Sequence, residues 1–270
     1  MPLDPVAVYK IRDASLDRED VHLSLNDGTI AFTRAVNGRI TGALFTGEGE
    51  ILVVPPDFTE RHSLSLFAGT AVLSERITLA YLRFADDSII ADLNPHLRPP
   101  EEADGFIERN NALASQLAEA DCLRTLIGIT YAPKASPKAY AGEFLYGRFN
   151  GEKLGGFEVS YDPLVSEQIS ARQVAFSVRG RHYDLWMSFP MRSLRKDPDS
   201  NARSPHKVVE ITDYRIRMDV TPPRDLAGSA TLTLKTLQTG PRAVLFELSR
   251  YLKLAGVELE SAGREPVKLD

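Results

Sequence analysis

Cysteine is almost missing from this sequence, with Cys122 the only one in 270 residues. A disulfide framework needs pairs and a thiolate zinc site needs several ligands, so both are excluded. In Ala120-Asp-Cys-Leu-Arg124 the expected role of Cys122 is a small packed hydrophobe on a helix. Long apolar runs are missing as well, since none approaches the roughly 18–20 residues of a membrane-spanning helix. Met1-Pro-Leu-Asp-Pro-Val6 lacks the charged-then-apolar build of a signal peptide. Basic excess is absent too: 32 Lys and Arg stand against 37 Asp and Glu, a net charge of -5 that argues against a nucleic-acid partner. What remains, 43% hydrophobic and 26% charged residues, is the composition of a soluble globular chain without a targeting signal. Its length suffices for one large or two ordinary domains.

Catalytic signatures are equally scarce. The five histidines, His22, His62, His96, His182 and His206, never stand at the i, i+3 or i+4 spacing that presents a pair to one metal. Gly47-Glu-Gly49 is followed by a strand pattern and Pro55-Pro56. A phosphate loop instead needs a helix whose N-terminal amides meet the anion, so a turn is expected there. Glu60 and His62 are two residues apart on a predicted helix, where they diverge to different faces and cannot form an acid–base couple. Ser229 beside Gly228 opens a strand rather than a nucleophile elbow. Arg179, Arg181, His182, Tyr183, Trp186 and Arg192 mix basic and aromatic residues as a nucleic-acid surface does. Strand alternation puts Tyr183, Leu185, Met187 and Phe189 on one face and Trp186 on the other, which reads as packing on two sides. No catalytic, cofactor-binding or metal-binding residue is assigned.

Turns and alternation are what the sequence does have. Val6 to Ile11 reads as a first strand and Asp17-Arg-Glu-Asp20 as a charged turn. Asn26-Asp-Gly28, Asn37-Gly38 and Gly47-Glu-Gly49 read as three hairpin turns between Val21–Leu25, Thr29–Val36, Arg39–Thr46 and Glu50–Val54. Thr59 to Phe67, closed by Gly69, is a predicted short helix, and Ala71 to Phe84 a strand. Ser88 to Leu93 suits a second helix, stopped by Asn94-Pro95. The spacing of Leu113, Leu117, Ala120 and Ile127 predicts one long helix over Phe106–Leu126 that covers a sheet. A hairpin turning at Asn150-Gly151 and strands at Arg172–Val178 and His182–Phe189 follow. Arg192 to Lys207, rich in Pro, Ser, Asn and charge, is the expected linker. Beyond it, Tyr214–Val220, Ala230–Thr236, Ala243–Leu248, Gly256–Glu260 and Val267–Leu269 alternate as strands.

The last quarter of the chain resembles a known family. Tyr214 to Val220, the return strand Gly228-Ser-Ala-Thr-Leu-Thr-Leu234, and Leu245-Phe-Glu-Leu248 before Leu252 and Val257 are similar to the opening of the N-terminal β-domain of aminopeptidase N-like zinc metallopeptidases. Val36-Asn-Gly-Arg-Ile-Thr-Gly-Ala-Leu-Phe-Thr-Gly-Glu-Gly49, with Pro55-Pro56 and Glu60, resembles the N-terminal extension of some bacterial relatives. The family's His-Glu-x-x-His zinc motif and Gly-x-Met-x-Asn substrate loop do not occur here. The resemblance therefore implies no cofactor in this chain, zinc held by a catalytic domain beyond Asp270, and that C-terminal domain of the same polypeptide as partner.

The expected fold class is α+β and predominantly antiparallel β, a β-meander with one long covering helix followed by the start of a β-sandwich-like domain. The expected divisions are 1–191 for the extension, 192–207 for the linker and 208–270 for the opening strands. The alternative is a stand-alone β-rich carbohydrate- or protein-binding module. Tyr214, Ile216, Met218, Leu232, Leu234, Leu245 and Leu248 form an apolar face with few strands left to cover it. Self-association of the isolated chain is expected from that face.

Overall fold

The computed structural model of the chain describes residues 2–35, 38–85, 88–100, 103–118, 144–163, 165, 167–177, 180–196, 209–220, 226–237, 246, 252–261, 263 and 265–269. Of the readings above, Asn37, Cys122, the continuation of the long helix past Ala118 and most of Ala243–Leu248 lie outside these residues.

Period-2 alternation dictates the main element, an antiparallel sheet of nine strands. Its strands are β1 (Leu3–Arg18), β2 (Val21–Thr33), β3 (Gly42–Val53), β4 (Leu73–Phe84), β5 (Leu97–Arg98), β6 (Leu145–Gly151), β7 (Gly155–Tyr161), β8 (Ile169–Ser177) and β9 (Gly180–Phe189). Spatial order is β5-β1-β2-β3-β4-β6-β7-β8-β9, so chain order is kept except for the two-residue β5, which returns to β1. One face of all eight longer strands feeds a single core that also holds Leu64, Ile89 and Leu93. Leu64 comes from helix α1 (Phe58–Ala68), which lies against β9, and the other two from α2 (Ser88–Leu93), which lies against β1. On the opposite face Phe106 and Ala114 of helix α3 (Ala103–Ala118) pack with Leu3, Val8, Ala31, Leu44, Tyr81 and Tyr146. The fold is thus mostly antiparallel β within an α+β class.

Local signals explain the helices. Asp57 caps α1 by accepting the Glu60 N–H, and Gly69 ends it in the left-handed region at φ 71°. Pro95 follows α2 inside a 3-10 turn over Asn94–His96. Helix α3 begins three residues before the position expected, and its buried stripe is set by Phe106 and Ala114, with Leu113 only partly buried.

Two of the three predicted hairpin turns are strand interior. Asn26-Asp27-Gly28 and Gly47-Glu48-Gly49 lie within β2 and β3, paired as Asp27↔Glu48 and Gly28↔Gly47. The register slips between Leu25 and Asp27 and again between Thr46 and Gly49, so these are bulges. Leu25 and Ile30 both reach the same core although they are five apart, a parity that strict alternation forbids and a bulge restores. The glycines serve close approach. A Cβ on Gly28 would stand 2.5 Å from Phe45 Cε2 and from Thr46 O, and one on Gly47, at φ +153°, would run into Asp27 O.

Three smaller corrections follow. The first strand, expected over Val6–Ile11, runs the full length of β1. Asn150 and Gly151 stay in the ladder and the β6–β7 turn falls on the next three residues, with Gly155 supplying the positive φ of 66°. In β9, Ala171 pairs with Met187 and Arg172 with Leu185, which makes Trp186 an extra residue. Trp186, Met187 and Phe189 consequently share one core while Leu185 is exposed, against the two-sided division expected from alternation.

The expected linker begins inside a helical turn, α4 (Arg192–Arg195), packed on the first sheet through ion pairs described below. Beyond it stand two hairpins, β10 (Val209–Asp219) with β11 (Ala227–Thr236), and β12 (Val257–Leu259) with β13 (Val267–Leu269), each a separate two-stranded sheet. In the first, Ile211 faces Leu234, Tyr214 faces Leu232 and Ile216 faces Ala230, all on one side. Asp213, Arg215 and Arg217 face Thr233, Thr231 and Ser229 on the other. Ile211, Tyr214, Ile216 and Met218 are about half exposed, at 51, 58, 55 and 49%. An apolar face has formed without a described layer over it.

Candidate functional site

Glu75, Glu60, Glu158 and Asp20 are buried or half-buried carboxylates that tie elements of the first sheet together. Glu75 occupies an inward register position between Leu73 and Ile77. Its Oε1 accepts the backbone N–H groups of Lys153 at 2.6 Å and Leu154 at 3.0 Å, closing the β6–β7 turn. Glu60, on the first turn of α1, accepts the Ser188 N–H at 2.7 Å and ties that helix to the open edge of β9. Glu158 on β7 is buried and accepts Arg172 Nε at 2.8 Å across the β7–β8 pair. Asp20, in the β1–β2 turn, accepts Arg192 Nε at 2.9 Å and lies 2.9 Å from Arg195 Nη1. Each of these acids accepts from backbone amides or a guanidinium group, a structural use of the carboxylate.

The residues weighed from the sequence do not converge. His22 meets Asp17 across the first hairpin, Nδ1 to Oδ1 at 2.5 Å, on the surface. His62 stacks on Phe58 with ring centroids 5.9 Å apart. His96 Nδ1 donates to Arg12 O at 3.0 Å. The side chain of His182 and the whole of His206 lie outside the described residues. Glu60 and His62 do diverge, one to the sheet edge and one to the aromatic stack. Trp186 is buried in the core, stacked on Phe157 at 5.6 Å, while Arg192 binds Asp20, so these two members of the basic–aromatic set build no shared surface. Among the described residues no group of three or more His, Cys, Asp or Glu is arranged to hold a metal ion, and no helix is long and apolar enough to cross a membrane.

One cleft adjoins the β1–β2 turn. It encloses about 320 Å³ and is lined by Asp17, Arg18, Glu19, Ser88, Asp92 and Tyr161. Arg18 spans it, donating to Ser88 Oγ at 2.7 Å and to Asp92 Oδ2 at 3.2 Å, while Tyr161 Oη donates to Met191 Sδ at 3.7 Å. The Ser88 hydroxyl thus accepts from a guanidinium at the mouth of the cleft. Neither Glu75 nor Asp20 stood out in the sequence. Glu75 carried a signal, an acid at an inward position of an alternating strand, whereas Asp20 looked like any residue of a charged turn. Comparison with known families, curated proteins and solved structures gives no match for this chain.

Proposed function

We propose that this chain is the non-catalytic N-terminal region of an aminopeptidase N-like zinc metallopeptidase, scaffolding a catalytic domain beyond Asp270. The observation that carries the reading is the apolar face of the β10–β11 hairpin, over which no layer stands among the described residues. A two-stranded sheet alone is at best marginally stable in water, so a face of this kind calls for a second layer. Its size favours a layer on the same polypeptide. Ten paired residues at ~3.3 Å each, across two strands ~4.8 Å apart, give a face of roughly 330 Å². That is well short of the ~800 Å² per partner found in standard complexes between separate molecules. A covalently attached layer needs less area, because its effective concentration is set by the chain. In this reading the face is the first layer of a β-sandwich, the strand pattern around Tyr214 and Gly228 supplies the family, and zinc and catalytic groups belong to the later domain.

The test compares two polypeptides. The product of the full reading frame is expected to hold one zinc and hydrolyse aminoacyl-anilides, while residues 1–270 alone do neither. A reading frame without His-Glu-x-x-His, or tight one-to-one zinc retained by residues 1–270 after dialysis, overturns the reading. A second reading, a stand-alone β-rich carbohydrate- or protein-binding module, draws on α1. Phe58, Leu66 and Phe67 there are 82, 70 and 48% exposed, an aromatic and aliphatic stripe turned away from the core. A reading frame that stops at Asp270 favours it.

A further inference from the structure

The nine-stranded sheet ends in two places, and a charged corner joins them. The β1–β2 turn supplies Glu19 and Asp20, and the segment leaving β9 supplies Met191 and α4. Glu19 sits in the left-handed region at φ 56°, uncommon for a residue with a side chain, and its Oε2 accepts the Ser193 N–H at 3.0 Å. Asp20 is bound by both arginines of α4. Arg195 also stacks 5.6 Å over the Phe189 ring and donates to Pro190 O. Among the described residues no ladder connects these two regions, and the contacts between them run through side chains and the Ser193 amide.

We propose that this corner is a salt-sensitive lock: Asp20, held by Arg192 and Arg195, fixes the place where the chain leaves the first sheet for the β10–β11 hairpin. The exposure of the three groups gives the lock its character. The Asp20 side chain is only 5% exposed, whereas Arg192 and Arg195 are 44 and 25% exposed. A carboxylate that far out of water cannot lose its cations and stay in place, because an unpaired buried charge is strongly disfavoured. It must hydrate, and hydration requires the β1–β2 turn and α4 to part. The contact is therefore closed or open with little between. The arginines, reachable by solvent ions, are where salt acts. By contrast the Arg12–Asp27 pair, 70 and 51% exposed on the face of β1 and β2, can break without moving any backbone. The lock belongs to this chain whatever the later domain proves to be, so it stands or falls separately from the peptidase reading.

Hydrogen exchange on the whole 270-residue chain tests it at the amides of Ser193, Arg195 and Lys196. Replacing Arg192→Gln and Arg195→Gln together is expected to speed exchange there by roughly tenfold or more, the scale of a coupled pair. Wild type moved from about 0.1 M to about 1 M salt, where the screening length falls from ~10 to ~3 Å, is expected to approach the double variant, which itself changes little. Asp20→Asn, of the same size, is expected to match the double variant, and Arg12→Gln to leave the three amides unchanged. Trp186, the sole tryptophan and buried in the first core, reports whether that core stays folded. Unchanged exchange in the variants overturns the proposal. So does an equal salt response in wild type and double variant, or loss of Trp186 burial in both variants, since the corner is then part of the fold rather than a lock upon it.

Discussion

Gly28 and Gly47 lie opposite each other in the β2–β3 ladder, and the gap between them holds no methyl group. Gly47→Ala is expected to destabilise the first sheet by about 2–3 kcal/mol, read from urea unfolding followed by Trp186 fluorescence, because both its φ and its space exclude a Cβ. Gly38, at φ +77° with nothing near its missing Cβ, is strained by substitution but not crowded, so Gly38→Ala should cost less. Glu75→Ala leaves the Lys153 and Leu154 amides without their acceptor and is expected to cost about 1–3 kcal/mol in the same assay. These residues also mark how far the sequence could be read. Asp-Gly and Gly-Glu-Gly have the composition of turns, and composition reports the backbone freedom of a residue without saying what the freedom is for. Only the facing strand reveals that glycine was needed for approach. Asp20 was illegible for a similar reason, since its partners Arg192 and Arg195 are 172 and 175 residues away and no local pattern links them.

Elements were more legible than their details. Helix α1 carries its own stop at Gly69 and α2 is followed by Pro95, so local chemistry announced those two ends, while the Asp57 cap of α1 emerged only from the structure. Strands β7 and β11 pair without a slip of their own, whereas β4 and β10 each carry one extra residue, at Thr78 and Thr212. Where a bulge intervenes, as at Trp186, alternation assigns the wrong face, because one extra residue reverses every side chain beyond it. The β10–β11 hairpin has a consequence at this scale. Its half-exposed Ile216 and Tyr214 predict weak, concentration-dependent association of the isolated chain, visible in light scattering. Ile216→Lys is expected to abolish the association while the Trp186 unfolding transition stays where it was. A chain that remains strictly monomeric at high concentration would show the face to be satisfied by some other means.

At the scale of the whole molecule, two kinds of organisation follow one another along the chain. Up to α4 there is a sheet with a filled core on one face and a helix on the other; beyond it there are hairpins exposed to solvent. Nearly every strand of the first sheet pairs with its neighbour in sequence, so pairing can proceed as the chain lengthens. The corner that joins its ends cannot. Asp20 leaves the ribosome long before Arg192, and at about 5–20 residues per second the 172 residues between them take roughly 9–34 s. Through that interval the inner surfaces of β1, β2 and β3, including Leu23, Phe45 and Ile51, have neither β9 nor α4 to cover them. The newborn chain therefore carries an open, greasy half-sheet until β9 and α4 emerge, and how well it is shielded then decides how much of it ever reaches the closed form.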